Sequence, residues 1–374
     1  MSVEIREVFG KSDLKKWVDF PNKLYKNEKN FVPFLFSDEM STFTPKTNPA
    51  YEFCETRLFL AYKDGEIVGR IGGLINHAYN KKWDKNAIRF TRFDFVDDME
   101  VSKALFDAVV SWGKEKGYTT IMGPIGFHDM DHEGMLVDGF DEMGMFITFY
   151  NHPYYVTHME KLGLIKDVDW VEYQVMIPEK ADERLERISN HLIKRNGFEL
   201  VTYNNRKVLK NDAYEAFKVI DIAFSKLYGT VPLTDAVIDK AINDYIPIVN
   251  MKYICSIKDK EGAIVGFAVM LPSLAKAMIK SNGRMLPLGI FRMLKALSGH
   301  NDVLDMFFVA VKPEYQKMGI PGIIMNHMIK VCIENGVKYC ETGPELELNG
   351  DVQSMWKSFD TRQHKRRRCW TKEI

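Results

Sequence analysis

The feature that most constrains the fold is a similarity between the two halves of the chain. Residues 57–75 form two β-rich runs joined at Asp64-Gly65, and residues 252–271 repeat the pattern around Glu261-Gly262. Both stretches predict a β-hairpin, because dipeptides of this kind favour the two-residue turns that connect paired strands. Two copies of one fold are the interpretation that this repetition favours. A single large α/β sheet with a coincidental rhythm is the alternative.

The repetition continues beyond the hairpins in the same order. The matched segments in the first and second half are an apolar strand (89–96 and 303–311), an amphipathic helix (99–117 and 321–336), a strand with Gly-Pro (118–125 and 337–345) and a final β run (169–177 and 365–374). A short helix precedes each final run. The charged, helical stretch that opens at Pro178 lies between the copies. We therefore predict a first domain at 1–177, a linker helix at 178–199 and a second domain at 200–374.

Composition indicates a globular protein without a global electrostatic field. The 374 residues include 51 basic and 51 acidic side chains, so nothing in the net charge draws the chain to DNA or to anionic lipid. Five scattered cysteines, with no CxxC pair, indicate reduced thiols. The sequence contains neither a signal-peptide-like segment nor a long apolar run. We expect a cytoplasmic protein with no membrane span; the oligomeric state stays open.

The order of elements resembles that of the GNAT acyltransferase superfamily in both halves. The stretches "FTRFDFVDD", "GPIGFHDMDHEGMLVDGFDE", "YNHPYYVTHMEKLGL" and "VKPEYQKMGIPG" are similar to landmarks of a widespread, mostly uncharacterised bacterial group of tandem GNAT-like proteins. The resemblance covers nearly the whole chain. It implies an α/β (α+β) fold with two domains, each a mixed, mostly antiparallel twisted sheet flanked by helices.

The resemblance also implies a binding loop for acetyl-CoA or another acyl-CoA in the second copy. In GNAT domains this loop reads Gln or Arg, two residues, Gly, one residue, then Gly or Ala. Gln316 and Gly319 fit the pattern, Pro321 takes its last position and Gly322 follows. Clustered backbone NH groups at a helix start favour a pyrophosphate. The residues implied to bind the cofactor are Val309, Val311, Gln316, Lys317, Met318, Gly319, Ile320, Gly322 and Asn349.

Two departures from the GNAT pattern weaken the implied activity. Pro321 removes one NH donor, which would lower the affinity roughly tenfold to a hundredfold. At the position of the tyrosine that serves many GNAT enzymes as general acid, the second copy has Trp356, which cannot supply a proton. A structural corner without a ligand is the alternative for this loop. In the first copy, Asp97, Asp98 and Glu100 occupy the corresponding turn and would repel a pyrophosphate.

Asp305 is the candidate general base: it is the only acid within the apolar strand 303–311, and the resemblance implies a base near this position, where several GNAT enzymes carry a glutamate. An aspartate at a strand start that faces water or a neighbouring lysine is the alternative. The segment His128–Glu133, "HDMDHE", carries metal-ligand side chains but lacks the HExxH spacing, so we expect a polar loop and no metal. The insertion 271–299 contains a mildly basic amphipathic helix. A packing helix, a lid over an acyl chain and a membrane-surface contact are the alternatives for it.

The expected function is acyl-CoA-dependent N-acyl transfer to a small amine or a peptide. A non-catalytic ligand-binding or regulatory protein is one alternative, favoured by Pro321 and Trp356. An aminoacyl-tRNA-dependent transferase is another, in which the basic run 364–368, "HKRRR", would contact RNA.

Overall fold

The computed structural model describes residues 2–298 and 300–374, so Gly299, the last residue of the predicted insertion, lies outside them. The chain divides into two compact units, and both are discontinuous in sequence. The first contains residues 1–171, 275–290 and 364–374, and the second contains residues 172–274 and 291–363. No helix within the described residues has the length and hydrophobicity that a membrane span requires.

The first unit contains a mostly antiparallel sheet, in which one neighbouring pair of strands runs parallel, and helices that are interspersed with the strands along the chain. Its elements are β1 (Glu4–Glu7), α1 (Gly10–Leu24), α2 (Phe36–Thr42), β2 (Cys54–Lys63), β3 (Glu66–Asn76), α3 (His77–Trp83), β4 (Ala87–Phe95), α4 (Met99–Glu115), β5 (Thr120–Gly123), β6 (Met135–Asp138), α5 (Tyr154–Lys161) and most of β7 (Ile165–Met176). The predicted hairpin is β2–β3. Asp64 and Gly65 both have positive φ, as a type I′ turn requires.

Helix α4 covers one face of this sheet. Its apolar side chains Val101, Leu105, Val109 and Trp112 recur every three or four residues and are buried against Phe90 and other strand residues. Burying each such side chain stabilises the fold by about 1.5 to 3 kcal/mol. The periodicity that predicted the helix at 99–117 is therefore the periodicity of its packing face.

The second unit repeats this arrangement. Its elements are α6 (Glu183–Asn196), β8 (Glu199–Thr202), α7 (Arg206–Phe224), α8 (Asp235–Tyr245), β9 (Ile254–Lys258), β10 (Ile264–Pro272), β11 (Val303–Val311), α11 (Ile320–Glu334), β12 (Tyr339–Thr342), β13 (Glu345–Leu346) and α12 (Gly350–Met355). Two helices of the predicted insertion, α9 (Ala275–Ser281) and α10 (Gly289–Ser298), precede β11. The hairpin β9–β10 and the strand β11 lie where the sequence predicted them.

The final strand of each copy differs from the prediction. We expected residues 365–374 to complete the second copy, but the strand β14 (Thr361–Glu373) pairs antiparallel with β5, with Trp370 opposite Gly123. In the second unit, β12 pairs with the end of β7, with Tyr339 opposite Met176. Sequence periodicity could not reveal this exchange, because either pairing gives a buried strand of the same pattern. It is also why the units are discontinuous where the predicted domains are continuous.

The predicted linker helix 178–199 corresponds to α6, which is part of the second unit. Asp182 caps its start, and Gly197 ends it in the left-handed conformation. Glu186 forms an ion pair with Lys330 of α11. This helix therefore packs in the second unit as a structural element.

The basic run 364–368 is occupied by contacts within the first unit. Arg366 and Arg368 form ion pairs with the buried Asp169, with distances of 3.1 and 2.7 Å. The Lys365 ammonium and the Arg367 guanidinium are buried and donate hydrogen bonds to backbone carbonyls. These charges stabilise β14, which leaves the proposed RNA contact without structural support.

The strand exchange can be tested through Trp370, which is buried in the core of the first unit. We expect Trp370→Ala to cost about 3 to 5 kcal/mol, because it leaves a large cavity. In native-state hydrogen exchange, the amides of Thr120–Gly123 should lose protection while those of β9 and β10 keep theirs. Loss of protection in Tyr339–Thr342 with β5 unaffected would contradict the exchanged pairing.

Candidate functional site

The two central parallel strands of the second unit pair over only four residues and then part. The register of β11 with β12 runs from Val303 opposite Tyr339 to Met306 opposite Thr342. β11 continues for five residues to Val311, whereas β12 ends at Thr342 and is followed by Gly343-Pro344. A β-bulge at this point, opposite Val269 and Met270, bends β11 further. The sheet therefore opens beside Val309 and Val311, two of the predicted binding residues.

The turn after β11 ends in the start of a helix. Residues Pro313–Met318 form a 3₁₀ helix, Gly319 has φ +83°, and α11 begins at Ile320, one residue earlier than we predicted. The NH of Ile323 donates to the carbonyl of Gly319, which closes the first helical turn. The NH groups of Ile320 and Gly322 precede that bond and have no acceptor within the helix. No acidic side chain lies in this first turn.

Gly319 and Gly322 differ in whether the fold itself requires a glycine. Gly319 is required by its positive φ, and a Cβ there would lie 2.5 Å from Leu192 Cδ1 of α6. The fold alone therefore explains Gly319. A Cβ on Gly322 would meet no atom within 4 Å. The space in front of the first turn of α11 is consequently open at Gly322, where an anion could approach the NH groups and the positive end of the helix dipole.

The remaining predicted loop residues surround this opening. Gln316 donates from Nε2 to the carbonyl of Val311 at 3.3 Å, so its side chain fixes the turn to the end of β11. Lys317 is exposed, and Met318 packs at the margin of the core. Asn349 caps α12 by accepting from the NH of Val352. Gln316 and Asn349 thus have structural contacts of their own.

The corresponding strand end in the first unit is closed. Phe95 lies opposite Gly69 in the same register in which Val311 lies opposite Gly266. The backbone NH of Phe95 donates to the Tyr155 hydroxyl at 2.9 Å, and the Tyr154 hydroxyl donates to the Phe95 carbonyl. Side chains of α5 thus occupy both the NH and the carbonyl of Phe95, whereas at Val311 it is Gln316, from the following turn, that bonds to the carbonyl.

The helix start in the first unit is occupied as well. The Asp98 carboxylate accepts from the NH of Glu100 at 2.9 Å and pairs with the Lys63 ammonium at 2.7 Å. The lysine and these backbone contacts hold the pKa of Asp98 below its usual value. An anion at this helix start would have to displace a carboxylate that is already bound.

Asp305 lies near the start of β11 and is almost completely buried. Its partner across the parallel pair is Glu341 of β12, so the two carboxylates share one face of the sheet. Glu341 is partly exposed and accepts a hydrogen bond from Gln174 at 3.2 Å. This burial contradicts the water-facing form of the predicted alternative.

A further carboxylate, Glu345, was not predicted. It directly follows Gly343-Pro344, and the Trp356 indole NH donates to its two carboxylate oxygens at 2.9 and 3.1 Å. Burial raises the pKa of Glu345 to about 8, and the indole contact offsets only part of that effect. At neutral pH Glu345 is therefore mostly protonated, so Trp356 holds an acid near the position where the usual tyrosine is missing. The sequence signal for this residue was a glutamate directly after Gly343-Pro344 with a tryptophan, Trp356, in the following helical segment.

A narrow apolar crevice lies between α11 and the sheet of the second unit. Its lining includes Val309 and Met306 of β11, Met270 of β10, and Met325 and Met328 of α11. The free volume of about 20 Å³ has room for one small group. Unbranched methionine side chains adapt to irregular shapes, so this lining can change its shape.

The segment 128–133 is bound within the first unit by ion pairs. Asp131 pairs with the buried guanidinium of Arg92 at 2.7 Å, and Arg92 also pairs with Glu39 at 2.9 Å. Arg92 and His132 hold the pKa of Asp131 well below its usual value, despite the opposing effect of burial. Within residues 2–298 and 300–374 no group of three or more His, Cys, Asp or Glu side chains is arranged to hold a metal.

Comparisons with known proteins agree with this architecture. No protein-family model matches the chain. "Protein YghO" of Escherichia coli is 26% identical over 380 residues, covering 99% of this chain and 95% of that protein. "Bacterial ceramide synthase" of Caulobacter vibrioides is 25% identical over 288 residues, covering 76% of this chain and 73% of that protein.

Solved structures resemble the whole chain at low sequence identity. A tandem GNAT protein from the clavulanic acid biosynthesis pathway matches 100% of this chain and 98% of its own, with a TM-score of 0.56 and 11% identity. A GCN5-related N-acetyltransferase from Sphaerobacter thermophilus matches 99% of this chain and 95% of its own, with a TM-score of 0.52 and 11% identity. The predicted tandem GNAT fold is therefore confirmed.

The raised pKa of Glu345 predicts a pH-dependent free energy of unfolding. The folded state holds the proton more tightly than the unfolded chain, so Glu345 contributes stability that is complete below about pH 4.5 and is lost as the pH rises through about 8. Between pH 5 and 8, urea unfolding should show a smaller loss of stability for Glu345→Gln than for the parent. Glu347→Gln is the control. Equal pH dependence in the parent and Glu345→Gln would contradict the raised pKa.

Proposed function

We propose that this chain, which has the tandem GNAT fold, is an acyl-CoA-dependent N-acyltransferase that acts through its second unit. The observation that carries the proposal is the contrast between the two strand ends. In the second unit the sheet opens beside Val311 and leads to an uncovered helix start at Gly322. In the first unit Tyr155 and Asp98 close both positions. The first unit then serves as a scaffold that binds no coenzyme.

The residues of the second unit fit the parts of an acyl-CoA. The NH groups of the first turn of α11 bind the pyrophosphate, and the absence of an NH at Pro321 makes this binding weaker than in a complete loop. Val309 and Val311 are placed to contact the chain that joins the pyrophosphate to the thioester. The apolar crevice beside Val309 takes the acyl group; its free volume of about 20 Å³ has room for a methyl group, and longer chains require the methionines to move. Coenzyme A supplies the acyl group as an activated thioester.

The carboxylates divide the proton transfers between them. Asp305 accepts the proton of the attacking ammonium, while the neighbouring Glu341 adds a negative charge that attracts the cation. Glu345, protonated at neutral pH, donates a proton to the departing thiolate. This assignment replaces the missing tyrosine with a carboxylic acid that Trp356 holds in place.

The acceptor is an amine, and we propose a small amine or a peptide amine as its class. One relative is named a ceramide synthase, and a ceramide is an amide of a fatty acid and a long-chain amine. Long-chain amines therefore belong among the acceptors to be tested. If the chain binds coenzyme A but transfers no acyl group to any of the amines tested, the non-catalytic alternative is favoured.

The open position Gly322 provides a test of the binding loop. A glutamate there brings a negative charge to the pyrophosphate, whereas a glutamine of nearly the same size does not. We expect Gly322→Glu to weaken coenzyme A binding about a hundredfold, which is about 2.7 kcal/mol, and Gly322→Gln to weaken it far less. Binding is measured as the shift of the melting temperature with coenzyme A concentration. Equal effects of the two variants would place the ligand elsewhere.

The role of Asp305 is tested by thiol release from an acyl-CoA in the presence of an amine. We expect Asp305→Asn to lower kcat by about 10² to 10⁴ without a comparable change in the KM for acyl-CoA. The control is Asp302→Asn, since Asp302 is partly exposed and pairs with Lys338 at the edge of the same strand. If both variants keep the parental rate, Asp305 is not the base.

A further inference from the structure

The segment 285–298 exposes more large apolar side chains than its length would suggest. Leu286 and Leu288 in the loop before α10 are 78% and 54% exposed, and Phe291 and Leu294 in α10 are 67% and 51% exposed. Exposed apolar side chains scattered over a surface need no explanation, but four within nine residues mark an interaction site.

The exposure of α10 is not a consequence of loose packing. Met293 and Leu297, four residues apart, are buried, and Asn250 donates to the Leu297 carbonyl at 3.0 Å. The helix thus has a buried face of its own in the second unit. Phe291 points away from that buried face and Leu294 lies beside it, so the helix also presents apolar side chains to solvent.

The charge of the surrounding sequence is one-sided. Residues 262–301 contain no Asp or Glu but include five basic residues, in a chain whose acidic and basic residues are equal in number. The basic residues are Lys276, Lys280, Arg284, Arg292 and Lys295. Arg292 and Lys295 are exposed and lie next to Phe291 on α10, on the side away from Leu294. An apolar stripe beside a basic stripe fits a surface that is apolar inside and negatively charged outside.

The loop before α10 is held in place from within the first unit. The Arg284 guanidinium pairs with Asp19 and lies over the Phe36 ring at 3.8 Å. A Cβ on Gly289 would lie 1.7 Å from the Arg284 carbonyl oxygen, so only glycine permits this tight turn. The exposed Leu286 and Leu288 are therefore presented by a fixed loop, which lowers the entropic cost of inserting them.

We propose that residues 285–298 bind the surface of an anionic lipid bilayer. Leu286, Leu288, Phe291 and Leu294 enter the boundary between headgroups and acyl chains, while Arg292 and Lys295 pair with anionic headgroups. The long aliphatic stems of these basic residues allow their charges to remain at the headgroup level. The contact is peripheral. It would give the chain access to lipid-borne substrates, although the contact itself does not require the proposed acyltransferase activity.

Flotation of the full chain with phosphatidylcholine vesicles, with and without phosphatidylglycerol, tests the proposal. We expect the parent to bind the anionic vesicles and to lose affinity as salt is raised. The double variant L286S/F291S should lose at least about tenfold in affinity, because two apolar side chains no longer enter the interface. The double variant R292Q/K295Q should lose about thirtyfold on anionic vesicles and change little on neutral ones. The matched control is I165S/L348S, which removes two equally exposed apolar side chains elsewhere.

The proposal is overturned if the parent fails to float with anionic vesicles, or if the control pair loses as much affinity as L286S/F291S. It is also overturned if the parent is a dimer that L286S/F291S converts to a monomer, since a second copy would then cover the segment. If L286S/F291S binds anionic vesicles as the parent does but has a raised KM for long-chain acyl-CoA, the segment is a lid over the acyl chain and the proposal is overturned. Thermal melts of all variants should match the parent, because each altered side chain is exposed.

Discussion

Strands β4 and β11 both extend beyond the parallel strand that pairs with them. The backbone NH and carbonyl groups at the ends of β4 and β11 must therefore find other hydrogen-bond partners. β11 and β12 stop pairing at Met306 and Thr342, and a bulge in β11 widens the opening. An open edge inside a sheet is costly unless side chains, water or a ligand supply hydrogen bonds. The candidate site lies at this opening, where β11 leads through the turn at Gln316 into the start of α11.

The two copies satisfy the same constraint in different ways, and the proposed difference in function rests on this contrast. In the first unit the hydroxyls of Tyr154 and Tyr155 bond to the backbone of Phe95, and Asp98 caps the following helix. Buried ion pairs such as Arg92 with Glu39 and Asp131 fix the surrounding loops. Removing one partner of such a pair would leave a buried charge uncompensated, so the conformation of these loops depends on both partners. In the second unit the Val311 carbonyl accepts from the Gln316 side chain, and the helix start at Gly322 stays uncovered.

The sequence predicted the hairpins, β11, α4 and α11 because each has a strong periodicity or a turn dipeptide that depends only on neighbouring residues. It did not predict that β14 completes the first unit, because strand partners are chosen by long-range packing that local patterns do not encode. It identified Gly319 as a ligand contact, whereas Leu192 and a positive φ already require glycine there. Glu345 was missed because its raised pKa depends on burial and on Trp356, and both appear only after folding.

The central claim is that one of the two homologous strand ends binds a coenzyme. Calorimetric titration of the full chain with coenzyme A tests it most directly, because the heat reports both affinity and stoichiometry. One site per chain, lost in Gly322→Glu and retained in Gly322→Gln, is the predicted result. No binding at millimolar coenzyme A, or a single site that survives Gly322→Glu unchanged, would contradict the account.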